Sequence, residues 1–280
     1  MNEEYLGPPS MSHRRRTGAS DESSESYSVQ VFRAGGEYGP AVSVYYNSRL
    51  TEFLELYYFV VVLRNERRTV LINTGLPDDF SPFDRFVKEW HPDCRIFRRE
   101  DETTEVLMQR AGIDPALVET VILTPLTIYT TGQVSLFKNA RFAVSRAGWV
   151  DFWAPAPYAP RLPKEIAMAR ESRMFFADEA FERVQLLESE DTICPGISCF
   201  WTGGHHLSST AIVVNTRRGK VIFGDCFFTY DNLEKNIPIG WAENLHELYA
   251  AYDRVRRSAD IAVPLYDPQV FQRFPEGIIA

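Results

Sequence analysis

Histidine, cysteine and positive charge are all scarce in this chain of 280 residues, which carries five His, four Cys and 30 Lys plus Arg. The four cysteines, Cys94, Cys194, Cys199 and Cys226, form no C-x-x-C pair and no zinc-finger spacing. That excludes a small zinc module and a dense disulfide framework, and leaves reduced thiols as the expectation. Cys226 directly follows Asp225 but has no histidine beside it in sequence, so it reads as a small buried thiol rather than a nucleophile. The acidic excess gives a formal net charge of -8, the wrong sign for neutralising a phosphate backbone, so no nucleic-acid partner is expected. No apolar run approaches the roughly 20 residues that span a bilayer, and residues 59–63 are a run of buried-strand length, so no membrane partner is expected either. What is plentiful is core material, with 45% hydrophobic and 13% aromatic residues. A folded domain with a substantial interior follows.

The first 27 residues, MNEEYLGPPSMSHRRRTGASDESSESY, are polar and charged and hold no apolar stretch of the kind found in a secretory leader. They read as a disordered tail (1–27) ahead of one domain (28–280) in a cytoplasmic protein, with Arg14, Arg15 and Arg16 as a solvated charge cluster.

Beyond the tail, two β-rich halves flank a helical middle. Residues 29–33, 41–46 and 54–63 are rich in valine and aromatics and are expected as strands. A polar turn at 64–68 leads to a buried strand at 69–73, which Thr74-Gly75-Leu76-Pro77 breaks. Helices are expected at 82–90 and 102–111, the second stopped by Gly112, with a strand at 120–124. Residues 149–182 open with the proline- and aromatic-rich WVDFWAPAPYAPRLP and continue in a helix-compatible run. They read as a helical lid insertion over a pocket, with Trp149, Phe152, Trp153, Tyr158, Phe175 and Phe176 lining it or packing the lid down. Strands follow at 184–188, 197–201, 210–216 and 220–223, with Arg218-Gly219 in the last hairpin turn, then a helix at 245–258 and a strand at 261–264.

The segment VILTPLTIYTTGQVSLFKNA (121–140) resembles the strand and loop carrying the first zinc motif, His-x-His-x-Asp-His, of the metallo-β-lactamase superfamily. Further blocks, in matching order and spacing, are residues 71–75 (LINTG), 202–209 (TGGHHLSS), 221–225 (VIFGD), 263–268 (VPLYDP) and 274–277 (FPEG). Together they resemble the N-acyl homoserine lactonase-like branch, over about residues 29–280. The resemblance implies an α+β fold, an αββα sandwich, and seven metal-ligand positions. These are Pro125, Thr127 and His205 for one metal, Tyr129, Thr130 and Tyr266 for the other, and Asp225 between them. Only His205 and Asp225 keep ligand types, too few for a zinc site, so no metal and no cofactor is expected. Asn73 stands where the family has an aspartate that orients a ligand. His206, on a segment read as extended, is expected to face away from His205, and His91 and His246 fall on helical segments remote from the pocket.

Apart from Pro125, the emptied positions hold hydroxyls. The resemblance implies a pocket in which Thr124, Thr127, Tyr129, Thr130, Thr131 and Tyr266 surround His205 and Asp225. One reading is proton transfer, with His205 as acid or base, Asp225 orienting it and Tyr129 donating to a developing oxyanion. Thr127, Thr130, Tyr266 and Trp153 would then contact the substrate, a small organic molecule such as an ester, lactone or polyketide-like compound. A second reading is a non-catalytic pseudoenzyme or binding protein whose polar residues bond to one another. A third is a metal-dependent hydrolase with a rebuilt site. A homodimer is compatible with all three.

Overall fold

A computed structural model describes residues 25–49, 51–157 and 162–280. The greater part of the expected tail (1–24) and Tyr158 lie outside the described residues. Glu25, Ser26 and Tyr27 are described, and Tyr27 is buried in the domain: its N–H donates to Asn215 O at 2.9 Å and its hydroxyl to Pro195 O at 2.9 Å.

Among the described residues, twelve strands form two sheets. The first holds β1 (Ser28–Pro40), β2 (Phe53–Arg64), β3 (Thr69–Ile72), β4 (Arg95–Phe97), β5 (Thr120–Leu123), β6 (Arg141–Ser145) and β7 (Val184–Leu187), in the order β4-β1-β2-β3-β5-β6-β7. The second holds β8 (Glu190–Cys194), β9 (Ile197–Trp201), β10 (Thr210–Thr216), β11 (Gly219–Gly224) and β12 (Ile261–Pro264), in the order β12-β11-β10-β9-β8. Side-chain alternation explains why the first sheet is apolar on both faces. Phe59, Val61, Leu63, Ile72, Ile122 and Ala143 join one core, shared with Phe200, Ile212, Val214, Val221 and Phe223 of the second sheet. Val60, Val62, Leu71, Val121, Leu123, Phe142 and Val144, one residue out of phase, join another core.

Helices cover the outer faces because parallel neighbours need crossover connections. The parallel pair β3·β5 is bridged by a segment containing the helix Thr104–Arg110, β5·β6 by one containing the short helix Ile128–Thr131, and β6·β7 by one containing Arg146–Trp153 and Arg170–Ala177. The parallel pair β11·β12 is bridged by Leu245–Ser258, which buries Leu248, Ala251, Tyr252 and Val255. The result is the expected mixed α+β architecture of two facing sheets with helices outside.

Several local expectations change. Residues 41–46 are not a strand: Ala41–Val44 is a short helix in the connection of the β1–β2 hairpin, whose pairing already ends at Pro40 opposite Phe53. β1 instead runs through Gly35-Gly36 with a bulge between Arg33 and Gly36. A Cβ on Gly36 would lie 2.3 Å from Leu56 O, so glycine here permits close pairing rather than ending the strand. Gly219 pairs with Thr216, making Arg217-Arg218 the two-residue turn. The polar edge strand β8 escaped the sequence pattern. Residues 149–182 belong mainly to the β6–β7 crossover: Phe175 and Phe176 pack edge-on to Phe142 behind the first sheet, turned away from the pocket side.

Candidate active site

Chain segments leaving β3, β5, β11 and β12 converge at one edge of the sandwich, at the carboxyl ends of these strands. Such ends are where open sheets gather functional loops. They border a narrow cleft, with a cavity volume of about 70 Å³, whose lining includes Glu37, Tyr58, Thr127, Tyr129, His205, His206, Tyr266 and Phe228.

Asp225 follows β11 and is fully buried. It accepts hydrogen bonds from Thr124 Oγ1 at 2.7 Å, from Ser209 Oγ, and from His205 Nδ1 at 3.2 Å. Burial alone would raise its pKa, but the bonds from His205, Ser209 and Thr124 outweigh that and hold it below the usual carboxylate range. A carboxylate can only accept, so Nδ1 of His205 carries the ring proton and Nε2 the lone pair. Nε2 has no hydrogen-bond partner among the described residues. Burial, reinforced by the adjacent His206, pushes the His205 pKa down to about 4 against the pull of Asp225. The imidazole is therefore neutral at neutral pH.

His206 does not face away. Gly203 and Gly204 both take positive φ, 54° and 73°, and make residues 203–209 a tight turn instead of an extended run. The His205 and His206 rings come to 4.0 Å between centroids, and both line the cleft. His206 Nδ1 lies 3.1 Å from Glu243 Oε1, so each imidazole is held by its own carboxylate. Burial raises the Glu243 pKa, and the bond from His206 more than compensates, holding it below its ordinary value.

Tyr129 stacks on Tyr58 at 4.5 Å and meets Tyr266 edge-on at 5.9 Å. Burial pushes the pKa of Tyr129 and Tyr266 upward, so both hydroxyls stay protonated donors. The buried Tyr266 hydroxyl lies near Tyr129 without the geometry of a hydrogen bond and has no other partner among the described residues. Thr127 reaches the cleft, but Thr130 turns inward: its Oγ1 lies 2.6 Å from Pro125 O and accepts from Thr127 N–H at 3.2 Å, knitting the helix Ile128–Thr131 to its entry. Trp153 is not brought to the cleft. It is 40% exposed and packs against Trp149 and Phe152. The reason is helical phase: on Arg146–Trp153 it is Asp151 and Phe152 that face an outer vestibule, a cavity of about 330 Å³ sharing Thr127, Leu162 and His206 with the cleft.

Asn73 has a role of its own. With φ at 64°, it donates from Nδ2 to Thr124 O at 3.0 Å and accepts at Oδ1 from Thr124 N–H at 2.9 Å. An amide does both and a carboxylate only one. His91 is an exposed helix C-cap against Phe53, and His246 is exposed, so neither joins the site. Cys226 is buried, and burial pushes its thiol pKa up, as an inert thiol requires.

The residues do not fit a dinuclear metal centre. Pro125 has no donor, the Thr130 hydroxyl is committed to backbone, and Asp225 is saturated by three donors. Among the described residues no three His, Cys, Asp or Glu side chains come together as an ion would need. Glu37, Tyr58, Ser209 and Glu243 were invisible in the sequence as site residues, because only tertiary packing brings them here. Ser209 alone had a local signal, inside the TGGHHLSS block.

No protein-family model and no curated protein sequence matches the chain. Solved structures do. An N-acyl homoserine lactone hydrolase with N-hexanoyl-L-homoserine at its catalytic metal centre superposes with TM-score 0.75 and 18% identity, over 91% of this chain and 100% of that one. The AiiA protein of B. thuringiensis, in a mutant form with N-decanoyl-L-homoserine at its active site, gives 0.72 and 17%, over 91% and 100%. A hydrolase of the beta lactamase superfamily gives 0.66 and 15%, over 89% and 88%. The chain therefore shares the fold of these hydrolases.

Proposed function

We propose that the cleft binds a small organic molecule and that the Asp225–His205 pair moves protons on it without a metal. The observation that supports this most is a buried neutral imidazole whose Nδ1–H is fixed on a carboxylate, on the wall of a largely aromatic cleft. That arrangement leaves Nε2 free to take a proton, and Asp225 stabilises the imidazolium that forms. In a lactone or ester opening, Nε2 would take a proton from water as its oxygen bonds to the carbonyl carbon. The same proton would then pass to the departing ring oxygen. The developing oxyanion would be met by the Tyr266 and Tyr129 hydroxyls, and Thr127 would contact the ligand. In an isomerisation or elimination the proton would come from carbon instead.

Nitrobenzisoxazole tests this without knowledge of the substrate, because a base in an apolar cavity removes its C–H proton and releases a coloured phenolate. Chelator-treated protein is expected to catalyse this reaction. His205→Ala should lower the rate about a hundredfold with the fold intact, and Tyr129→Phe should lower it less. Turnover that persists in His205→Ala, or that needs added zinc, would end the proposal. One observation favours a second reading, a binding protein without turnover: His205 is only 2% exposed, with Phe228 edge-on at 4.7 Å. Ligand binding with no proton transfer in the parent would select it.

A further inference from the structure

We propose that the deep end of the cleft is a subsite for a basic amine carried on an aromatic or aliphatic body, with Glu37 as its counter-ion. The proposal deepens the reading of the cleft as a small-molecule site and rests on it. β1 and β2 pair Glu37 with Leu56, two residues from Tyr58, and all three line the cleft. The Tyr58 hydroxyl donates to Glu37 Oε2 at 2.7 Å. The residue as a whole is partly exposed while its carboxyl group is buried, and among the described residues no Lys, Arg or His forms an ion pair with it. Arg95, on the neighbouring strand, stacks on the Tyr38 ring at 4.4 Å instead.

A buried carboxyl without a cation is costly to ionise. Burial accordingly raises the Glu37 pKa, against the Tyr58 hydrogen bond. A ligand ammonium would restore the charge pair and remove that cost. The walls suit such a ligand. Tyr58 and Tyr129 stack at 4.5 Å, Phe83 lies 6.0 Å from Tyr129, and Trp90 and Trp241 meet at 4.5 Å. Ring faces carry negative charge that attracts cations. The charge balance points the same way. Among the described residues no lysine or arginine lines the cleft, and Asp225 and Glu243 stand behind its two histidines. Lys164 lies in the outer vestibule. Of the described lining, a ligand anion would meet no counter-charge, and a cation would meet one.

Three probes of matched shape separate the cases: phenylbutylamine, phenylbutanol and phenylbutyrate, titrated calorimetrically and by tryptophan fluorescence at neutral pH. The amine should bind at least about tenfold more tightly than the alcohol, and the carboxylate most weakly. Glu37→Gln should bring the amine to the level of the alcohol and leave the alcohol unchanged, and Tyr58→Phe should narrow the gap. Equal binding of amine and alcohol to the parent, or a preference that survives Glu37→Gln, would overturn the amine subsite alone. Failure of all three probes to bind would overturn it together with the small-molecule reading of the cleft.

Discussion

The two stretches that meet at the cleft edge have settled their polar groups in opposite ways. In residues 124–131 of the first half, most of the threonine polar groups are spent locally: Thr130 bonds to the backbone of Pro125 and Thr127, Thr131 Oγ1 donates to Thr127 O at 2.8 Å, and Asn73 clamps Thr124 from both sides, while Tyr129 and Thr127 face the cleft. Across the cleft, residues 203–209 and Asp225 keep two imidazole–carboxylate pairs and two unspent ring nitrogens. Both stretches coincide with metal-ligand positions by resemblance, yet Thr130 of the first is now scaffold, whereas the second keeps imidazoles paired to carboxylates. Thr124 belongs to both, since its backbone is held by Asn73 and its hydroxyl donates to Asp225. A polar residue at an old ligand position is thus no sign of chemistry by itself. What matters is whether its hydrogen bonds are already closed.

The contrast breaks most sharply at Asp225. Asp225→Ala strips the buried partner from Thr124, Ser209 and His205. It should lower unfolding free energy by about 3–5 kcal/mol in a denaturant titration. A loss below about 1 kcal/mol would mean that these groups find other partners.

A smaller effect follows from pH. His205 has a folded pKa near 4, below the ordinary 6.5, so the folded state binds fewer protons between those values. Its contribution to stability is complete above about pH 6.5 and is lost as pH falls towards 4, by a total on the order of 3 kcal/mol. Asp225, also depressed, adds a loss only below about pH 3.8, the ordinary value. His205→Gln should flatten the window between pH 6.5 and 4 relative to the parent. Parallel curves for the two proteins would contradict the buried neutral imidazole.

The smallest effect is expected on the scaffold side. Thr130→Val removes the hydroxyl that ties Pro125 and Thr127 together, at a cost of about 1 kcal/mol. It should leave the pH window of His205 untouched. A shifted window would show that the two stretches are coupled more tightly than their hydrogen bonds indicate.

Much of the framework was legible in the sequence because it rests on local pattern. The helix Leu245–Ser258 and the strand Ile261–Pro264 lie where the sequence pattern put them, and the strands expected at 54–63 and 120–124 form as β2 and β5. Asp225 and His205 came from motif position, and the structure joins them. What stayed hidden depends on backbone turns and distant packing. Nothing local marks Gly203 and Gly204 as folding His206 back beside His205, since Gly-Gly also suits an extended loop. Glu37 fell between two expected strands and carried no local signal, because its partner Tyr58 lies across the β1–β2 hairpin and the tyrosine stack comes from β5's loop. Trp153 was misplaced for a similar reason: an aromatic-rich run does not reveal which helical face meets a cavity.

The central claim, a metal-free imidazole poised by Asp225, is tested most directly by nitrogen-15 NMR of the His205 ring across pH. The account predicts one neutral tautomer at neutral pH, with the proton on Nδ1 and a free Nε2. It also predicts a titration midpoint near 4 and no change on adding zinc. A ring protonated on Nε2, a midpoint at or above the ordinary 6.5, or a zinc-induced shift at stoichiometric metal would contradict it.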